Sequence, residues 1–562
     1  MNVQIHSVGS EAERRRILLP SSVSRSSVLP PLKADRVVLM AALSERIPDR
    51  FIGEAFAHTL RAETGHTVLV IHLEAAGAKL SMADWLLLPR LNGEFALAKH
   101  LETTEGGVAL LRLKLPASPE EEEELPALID HCVRNFHYII VRAGTDVHLP
   151  VLLKCLAIAD RIFMLLQPRQ EDFYARDLLR REVRARVVGS RTLRTIVCRE
   201  RDEGHCNELL KQMGSEIHGI VHGCPTVVAA EGLRRWPDPD FNADLRRLAR
   251  EVGHRRVGLA LSSGGARGLA HIGVIQVFEE NGIEVDVIAG CSMGSYIGAA
   301  WAYGYDGVAM ERLARQLEHR WGLFELIDPF ILPRQGFLRG EKVKGRLKKS
   351  IGDVHFSELV RPLRIVGTHL ASLDRVVFSA GEVAQAVHAS SAIPGACVPV
   401  NIDGELYIDG GIADPLPVDV LEEMGIERII AINTIPTPAY LRARLELERE
   451  RDARRGRKVN QFRAWINRYL NYFAPGNVLD TILRSFNGAQ MQVAEHACQF
   501  ADVVLRPLSF DGRWHDFRRP GKYIAIGRRE AEEKLDEVKA LVSRKEESYE
   551  LQPAEFTVAA TQ

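Results

Sequence analysis

Short apolar runs recur along the chain, and between them the apolar positions open out to every third or fourth residue. RVVLMAAL (36–43), HTVLVIHL (66–73), HYIIVRA (137–143), RIFMLLQ (161–167), LRTIVC (193–198) and IHGIVHG (217–223) read as strands, with helical stretches such as FIGEAFAHTLRAE (51–63) between them. Buried strands alternating with helices predict a parallel α/β sheet. A second series opens at RRVGLALSS (255–263) and continues at EVDVIAG (284–290), LRIVGTHL (363–370), DRVVFSA (374–380) and RIIAINT (428–434). EGLRRWPDPDFNADLRRLAREVG (231–253) separates the two series and reads as a linker ending in an amphipathic helix. The acidic run PEEEEELP (119–126) reads as a solvated helix start or loop.

This pattern divides the chain into a tail (1–34), an α/β unit (35–225), a linker helix (226–254), a second α/β unit (255–435) and a helical extension that completes it (436–562). A length of 562 residues is too great for one core and agrees with several domains. With Lys+Arg 73 against Asp+Glu 74, the net charge of −1 gives no global reason to expect nucleic acid as a partner. The eight cysteines form no CxxC pair, which argues for a reducing compartment and against a zinc ribbon. Residues 1–34 lack the apolar core of a signal peptide, and no apolar run is long enough to span a bilayer. The expected localisation is cytoplasmic or peripheral at the inner membrane face.

Candidate chemistry begins at GLALSSGGARGLAHIGVIQV (258–277), where glycines cluster between a strand and a helix. Such a cluster brings backbone N–H groups close to negative charge, either a phosphate or an oxyanion. The phosphate reading lacks support: no GxxxxGK[ST] occurs, GEKVKGRLKKS (340–350) has arginine where the lysine belongs, and GGARG does not fit GxGxxG. The oxyanion reading gains from Gly290-Cys291-Ser292-Met293-Gly294, a GxSxG between a strand and a small-residue helix, the setting of a nucleophile elbow. Further on, ELYIDGGIADPLP places Asp409 at a strand end before Gly410 and Gly411. An Asp-Gly pair by itself is as well explained by a turn. Taken together, the three features lie at strand ends of one α/β unit, where such sheets place their sites.

In that combination and order the chain resembles the patatin-like phospholipases, whose hallmarks are GGxRG, GxSxG and DG[GA]. HASSAIPGACVPV (388–400) is similar to that family's loop ahead of the aspartate strand. Within the family, APGNVLDTILRSFNGAQ (474–490) and ADVVLRPL (501–508) resemble the C-terminal extension of neuropathy target esterase-like lysophospholipases. Residues 36–225 resemble the region before that esterase domain, a P-loop-like (MinD/ParA-type) sheet lacking a Walker A motif. Only 35 residues precede the first strand, so the cyclic-nucleotide-binding domains of the larger relatives are not expected.

The resemblance implies a three-layer α/β hydrolase in which Ser292 attacks an acyl ester and Asp409 takes its proton. Backbone N–H groups of Gly264, Gly265, Ala266, Arg267 and Gly268 would hold the oxyanion, without metal or cofactor. A carboxylate is an adequate base for a hydroxyl only in a dry, preorganised site. Chain order also permits a triad with His496 or His515; His271 reads as a packing residue. Arg267 either orients the glycine turn, attracts an anionic headgroup, or forms a structural ion pair. The substrate would be a phospholipid or lysophospholipid. Phe462, Trp465, Tyr469 and Phe473 recur at helical spacing after a basic stretch, which suits either transient contact with a membrane surface or packing in a core or dimer interface. Two alternatives remain open: a lipid-binding adaptor without turnover, and a nucleotide-dependent regulator acting through the N-terminal unit.

Overall fold

Among the residues that the computed structural model describes, sixteen strands make two sheets, each an apolar layer with helices on both faces. The structure describes residues 35–74, 80–87, 97–116, 118–186, 192–200, 210, 217–224, 238–318, 328, 338–455, 478–508 and 515–543. The first sheet comprises β1 (Val37–Ala42), β2 (Val68–Glu74), β3 (Leu101–Thr103), β4 (Ala109–Lys114), β5 (Tyr138–Ala143), β6 (Arg161–Leu166), β7 (Thr192–Cys198) and β8 (Gly219–Val221). Their order is β3-β4-β2-β5-β1-β6-β7-β8, parallel except for β3, which runs antiparallel to β4. β1, β5 and β6 are buried along their whole length, which is why they appear in the sequence as apolar runs rather than alternating ones, broken only by the ion-paired Arg142 in β5 and Arg161 at the start of β6.

The second sheet holds β9 (Val257–Leu261), β10 (Val287–Cys291), β11 (Leu363–His369), β12 (Arg375–Phe378), β13 (Val400–Ile402), β14 (Glu405–Asp409), β15 (Arg428–Ile432) and β16 (Val503–Leu505). It runs β13-β14-β11-β10-β9-β15-β16, with β12 also paired to β11. The strands β11-β10-β9-β15-β16 are parallel; β12, β13 and β14 form an antiparallel border. β12 and β14 correspond to DRVVFSA and to the strand that ends at Asp409, whereas β13 and β16, three residues each, are too short to announce themselves as periodic segments.

The acidic run at 119–126 opens the helix Pro119–Val133, capped by the Ser118 hydroxyl, which accepts from Glu121 N at 3.3 Å. Three glutamates in that first turn favour the positive end of the helix dipole. The helix Pro239–Val252, capped by Asp238, buries Phe241, Leu245, Leu248 and Val252 in the core under the first sheet. Its opposite face joins the two sheets. Glu251, buried, meets Arg161 of β6, Arg194 of β7 (2.8 Å) and Arg256 just ahead of β9 (3.2 Å). The adjacent Arg250 reaches Glu63 at 2.8 Å and Asp286 at 3.2 Å. Burial works to raise the Glu251 carboxyl, but Arg256, Arg161 and Arg194 outweigh it and hold it at about 2.

Around the second sheet, the helix Ala270–Glu280 packs directly on Pro520–Glu533. A Cβ added at Gly273 would lie 2.0 Å from the carbonyl oxygen of Ile524, and one at Gly527 would lie 2.0 Å from that of Ala270. The two backbones touch, and only glycine on both sides permits it. No helix among the described residues is long and apolar enough to cross a membrane.

Candidate active site

β10 ends at Cys291, and the chain turns at once into the helix Met293–Tyr303. Ser292 occupies the turn with φ 52° and ψ −117°, a strained conformation for a residue with a side chain. Its flanking glycines are required by contact. A Cβ on Gly294 would lie 2.2 Å from the Leu261 carbonyl oxygen, and one on Gly290 would lie 2.7 Å from that of Gly294. The elbow is held from outside as well, since Ser292 N–H donates to Ser390 Oγ at 2.8 Å and Ser295 Oγ donates to Ser292 O at 2.6 Å. We expect Gly294→Ala to lower stability by at least about 1–3 kcal/mol through forced separation of the helix from β9. An unchanged melting temperature would mean that the helix does not lie against β9 in this way.

β14 delivers Asp409 to the same place. The residue is 2% exposed, and its main chain is tied by Asp409 N to Ala392 O (2.9 Å) and by Thr368 Oγ1 to Asp409 O (3.0 Å). Its carboxylate accepts from Gly411 N–H at 2.7 Å and shares the cleft with the Ser292 side chain. Burial raises this carboxyl to about 6 against the opposing pull of the Gly411 N–H and the nearby Ser292. Gly410 sits against β11, where a Cβ would lie 2.2 Å from Val366 O.

The glycine segment forms the third wall. After β9, Gly265–Leu269 is a single 3₁₀ turn, with Ala266 and Gly268 buried beneath it. Gly264 approaches β15 so closely that a Cβ would lie 2.2 Å from Thr434 Oγ1. Thr434 pins the segment by donating from Oγ1 to Ser263 O and from its N–H to Ser262 Oγ, each at 2.9 Å. The first N–H groups of such a turn have no partner within it, and they point outward from its start. Arg267 N–H is not among them, because it donates to Gly264 O at 3.3 Å. His271, wholly buried, is pushed down to about 4 by burial despite its bond to Ser262 O. It is therefore neutral near pH 7 and donates from Nε2 to that carbonyl at 3.0 Å, a structural contact below the glycine turn.

A cleft of about 410 Å³ opens over these groups, lined by Gly264, Gly265, Arg267, Ser292 and Asp409, and closed by Phe486, Asn487 and Gln490. The residues named from sequence are thus brought together. His496 and His515 are exposed and line no part of this cleft. The residues that sequence reasoning missed are those that close or brace the site: Ser390, Thr434, Ile393 and the face of the helix Val478–Ala497 that carries Phe486, Asn487 and Gln490. Gln490 lies against Gly411, where a Cβ would be 2.0 Å from its Nε2. A polar residue recurring three positions after another, Asn487 and Gln490 on an amphipathic helix, was the signal available for that face. The aromatic positions Phe462, Trp465, Tyr469 and Phe473 lie outside the described residues.

The family model for patatin-like phospholipases matches residues 259–422, a span that holds the glycine turn, the elbow and Asp409. Residues 259–422 form a patatin-like domain. The chain is 41% identical over 179 residues to an uncharacterized NTE family protein of Mycobacterium tuberculosis, covering 32% of this chain and 49% of that protein. It is 34% identical over 194 residues to the lysophospholipase nte1 of Aspergillus fumigatus, covering 34% of this chain and 13% of the fungal protein. The match therefore spans about half of the mycobacterial relative and a small part of the fungal one. Among solved structures, the chain is similar to a ParA family ATPase from Chlorobium tepidum (18% identity, 38% of this chain, 98% of that chain, TM-score 0.30). It is also similar to the MinC:MinD complex of Aquifex aeolicus (17% identity, 39% of this chain, 95% of that chain, TM-score 0.31). The patatin-like domain thus joins an N-terminal parallel sheet in which β1 is followed by Asp49 of the helix Asp49–Thr64, ion-paired to Arg142 of β5 at 2.5 Å.

Proposed function

We propose that the protein hydrolyses fatty-acyl esters of phospholipids or lysophospholipids through a Ser292–Asp409 dyad. The observation that carries this reading is Ser292, held on a strained elbow, sharing one cleft with the buried Asp409 carboxylate beside a glycine turn. Asp409 accepts the hydroxyl proton as Ser292 Oγ attacks the acyl carbonyl. The N–H groups at the start of the Gly265–Leu269 turn receive the oxyanion, and the protonated Asp409 then returns its proton to the leaving alkoxide. Water repeats the cycle on the acyl-enzyme. Burial makes the carboxylate a stronger base than a solvated one, so no imidazole is required. The N-terminal sheet acts as a scaffold: Asp49 places a carboxylate at the start of the first helix, where a bound phosphate would need free N–H groups and positive charge. Its substrates reside in bilayers or micelles, so turnover requires the cleft to meet a lipid surface.

The test is release of fatty acid from lysophospholipids and phospholipids across pH 4–9. An ionised Asp409 is needed, so kcat/KM is expected to rise with pH and level off above about 6. A second readout needs no substrate. The folded-state value lies above the ordinary 3.8, so Asp409 contributes stability below about pH 4 that is lost as pH rises through about 6. Asp409→Asn escapes this loss and should gain up to about 3 kcal/mol on wild type between pH 4 and 8. Absence of acyl release on every lipid would refute the hydrolase reading. A flat stability difference would refute the buried, ionising carboxylate.

A further inference from the structure

A larger cleft, of about 680 Å³, lies between the two sheets and shares no residue with the one above Ser292. One wall comes from β8 and the bridging helix Pro239–Val252, with His222, Asp244 and Arg247. The other comes from the start of β11 and the turn before the helix Val383–Ser390, with Arg364 and Gly381. Arg364 lies at the far end of β11 from Gly367, which pairs with Asp409.

The charges here do not cancel. Asp244 is the acid in the lining, and it is fully engaged, accepting from His222 N–H (2.8 Å), from His222 Nδ1 (2.9 Å) and from Arg247 Nη2. His222 Nε2 lies 2.9 Å from Ser357 O. Both ring nitrogens therefore face acceptors, which requires the imidazolium form. Its proton affinity is raised accordingly, with Asp244 and Ser357 O outweighing burial. Arg364 donates to Leu363 O at 3.0 Å and pairs with no carboxylate among the described residues. Burial and the nearby Arg256 push it down to about 10, so it remains cationic at neutral pH. One negative charge thus faces three positive ones. The recorded bonds use only Nη2 of Arg247 and Nη1 of Arg364, leaving N–H donors on both guanidinium groups. A half-buried excess of positive charge is costly, so such an arrangement fits a site built around an anion.

We propose that this cleft binds a small phosphomonoester with an apolar body. A phosphomonoester carries close to two negative charges at neutral pH, matching the excess. Ile217, Ile220, Phe356 and Leu359 line the rest of the cleft and would cover an alkyl portion.

Binding is measured calorimetrically on the full chain carrying Ser292→Ala, so the outcome does not depend on the hydrolase reading. The probes are inorganic phosphate and butyl phosphate. Saturable binding at one site is expected, with butyl phosphate about tenfold or more tighter than phosphate. Arg364→Gln should weaken it about tenfold or more, and Arg364→Lys less. Arg267→Gln, at the other cleft, should leave it unchanged. Sedimentation with phosphatidylcholine vesicles, with and without phosphatidic acid, separates the sources. Arg364-dependent capture by phosphatidic acid assigns a lipid phosphomonoester, and its absence alongside butyl phosphate binding assigns a soluble one. No saturable binding of butyl phosphate would overturn the proposal, as would binding lost with Arg267→Gln but kept with Arg364→Gln.

Discussion

Ser292→Ala abolishes acyl release, and Asp409→Asn lowers it by roughly ten-thousandfold or more, the scale seen when a nucleophile or its proton acceptor is removed. Neither change should disturb the fold. Ser292 keeps its main-chain bond to Ser390 Oγ without its own hydroxyl, and an asparagine at 409 can still accept from Gly411 N–H. His496→Ala/His515→Ala retains activity, because both side chains are exposed and lie outside the cleft. Assay of the three variants beside wild type, each checked for its melting temperature, decides between dyad and triad. A folded but inactive histidine variant would replace Asp409 as the base. Residual activity near wild type in Ser292→Ala would move the nucleophile elsewhere.

Glu251→Gln should cost about 3–5 kcal/mol, a fall of about 10 °C in melting temperature. The size follows from what is left behind. Arg161, Arg194 and Arg256 converge on one carboxylate, and neutralising it leaves the buried Arg161 and the half-buried Arg194 and Arg256 in mutual repulsion. Asp35 compensates Arg161 alone. The effect has a definite pH dependence. Glu251 is held below its ordinary 4.5, so its contribution is complete above that value and disappears as pH falls through about 2. The difference between wild type and variant is therefore full at pH 7 and narrows toward pH 2–4. Equal melting temperatures at pH 7 would show that this cluster does not hold the two sheets together.

The difference between what could be read from the chain and what could not is visible in these same residues. β1, β5 and β10 were legible because strands buried on both faces are apolar throughout. The elbow was legible because Gly290 and Gly294 record backbone contacts that no other residue tolerates, so spacing alone carries geometry. Glu251 was not. On an amphipathic helix, an acid beside arginines reads as solvated surface, and its burial depends on arginines 90, 57 and 5 positions away. Gln490 was hidden for a related reason, since nothing local distinguishes a polar residue facing solvent from one facing a cleft floor more than eighty positions upstream. β13 and β16, three residues each, carry no period at all.

The order in which the site is assembled follows from the touching helices Ala270–Glu280 and Pro520–Glu533. A growing chain exposes Ser292 and Asp409 long before the segment that supports and covers them. The roof at Phe486 and Gln490 comes later, and the glycine contact at Gly527 later still. Until residue 533 has emerged, the helix behind the glycine turn lacks the neighbour that fits against Gly273. The nascent polypeptide thus carries Ser292 without a finished pocket until the helix Pro520–Glu533 has emerged and docked on its partner.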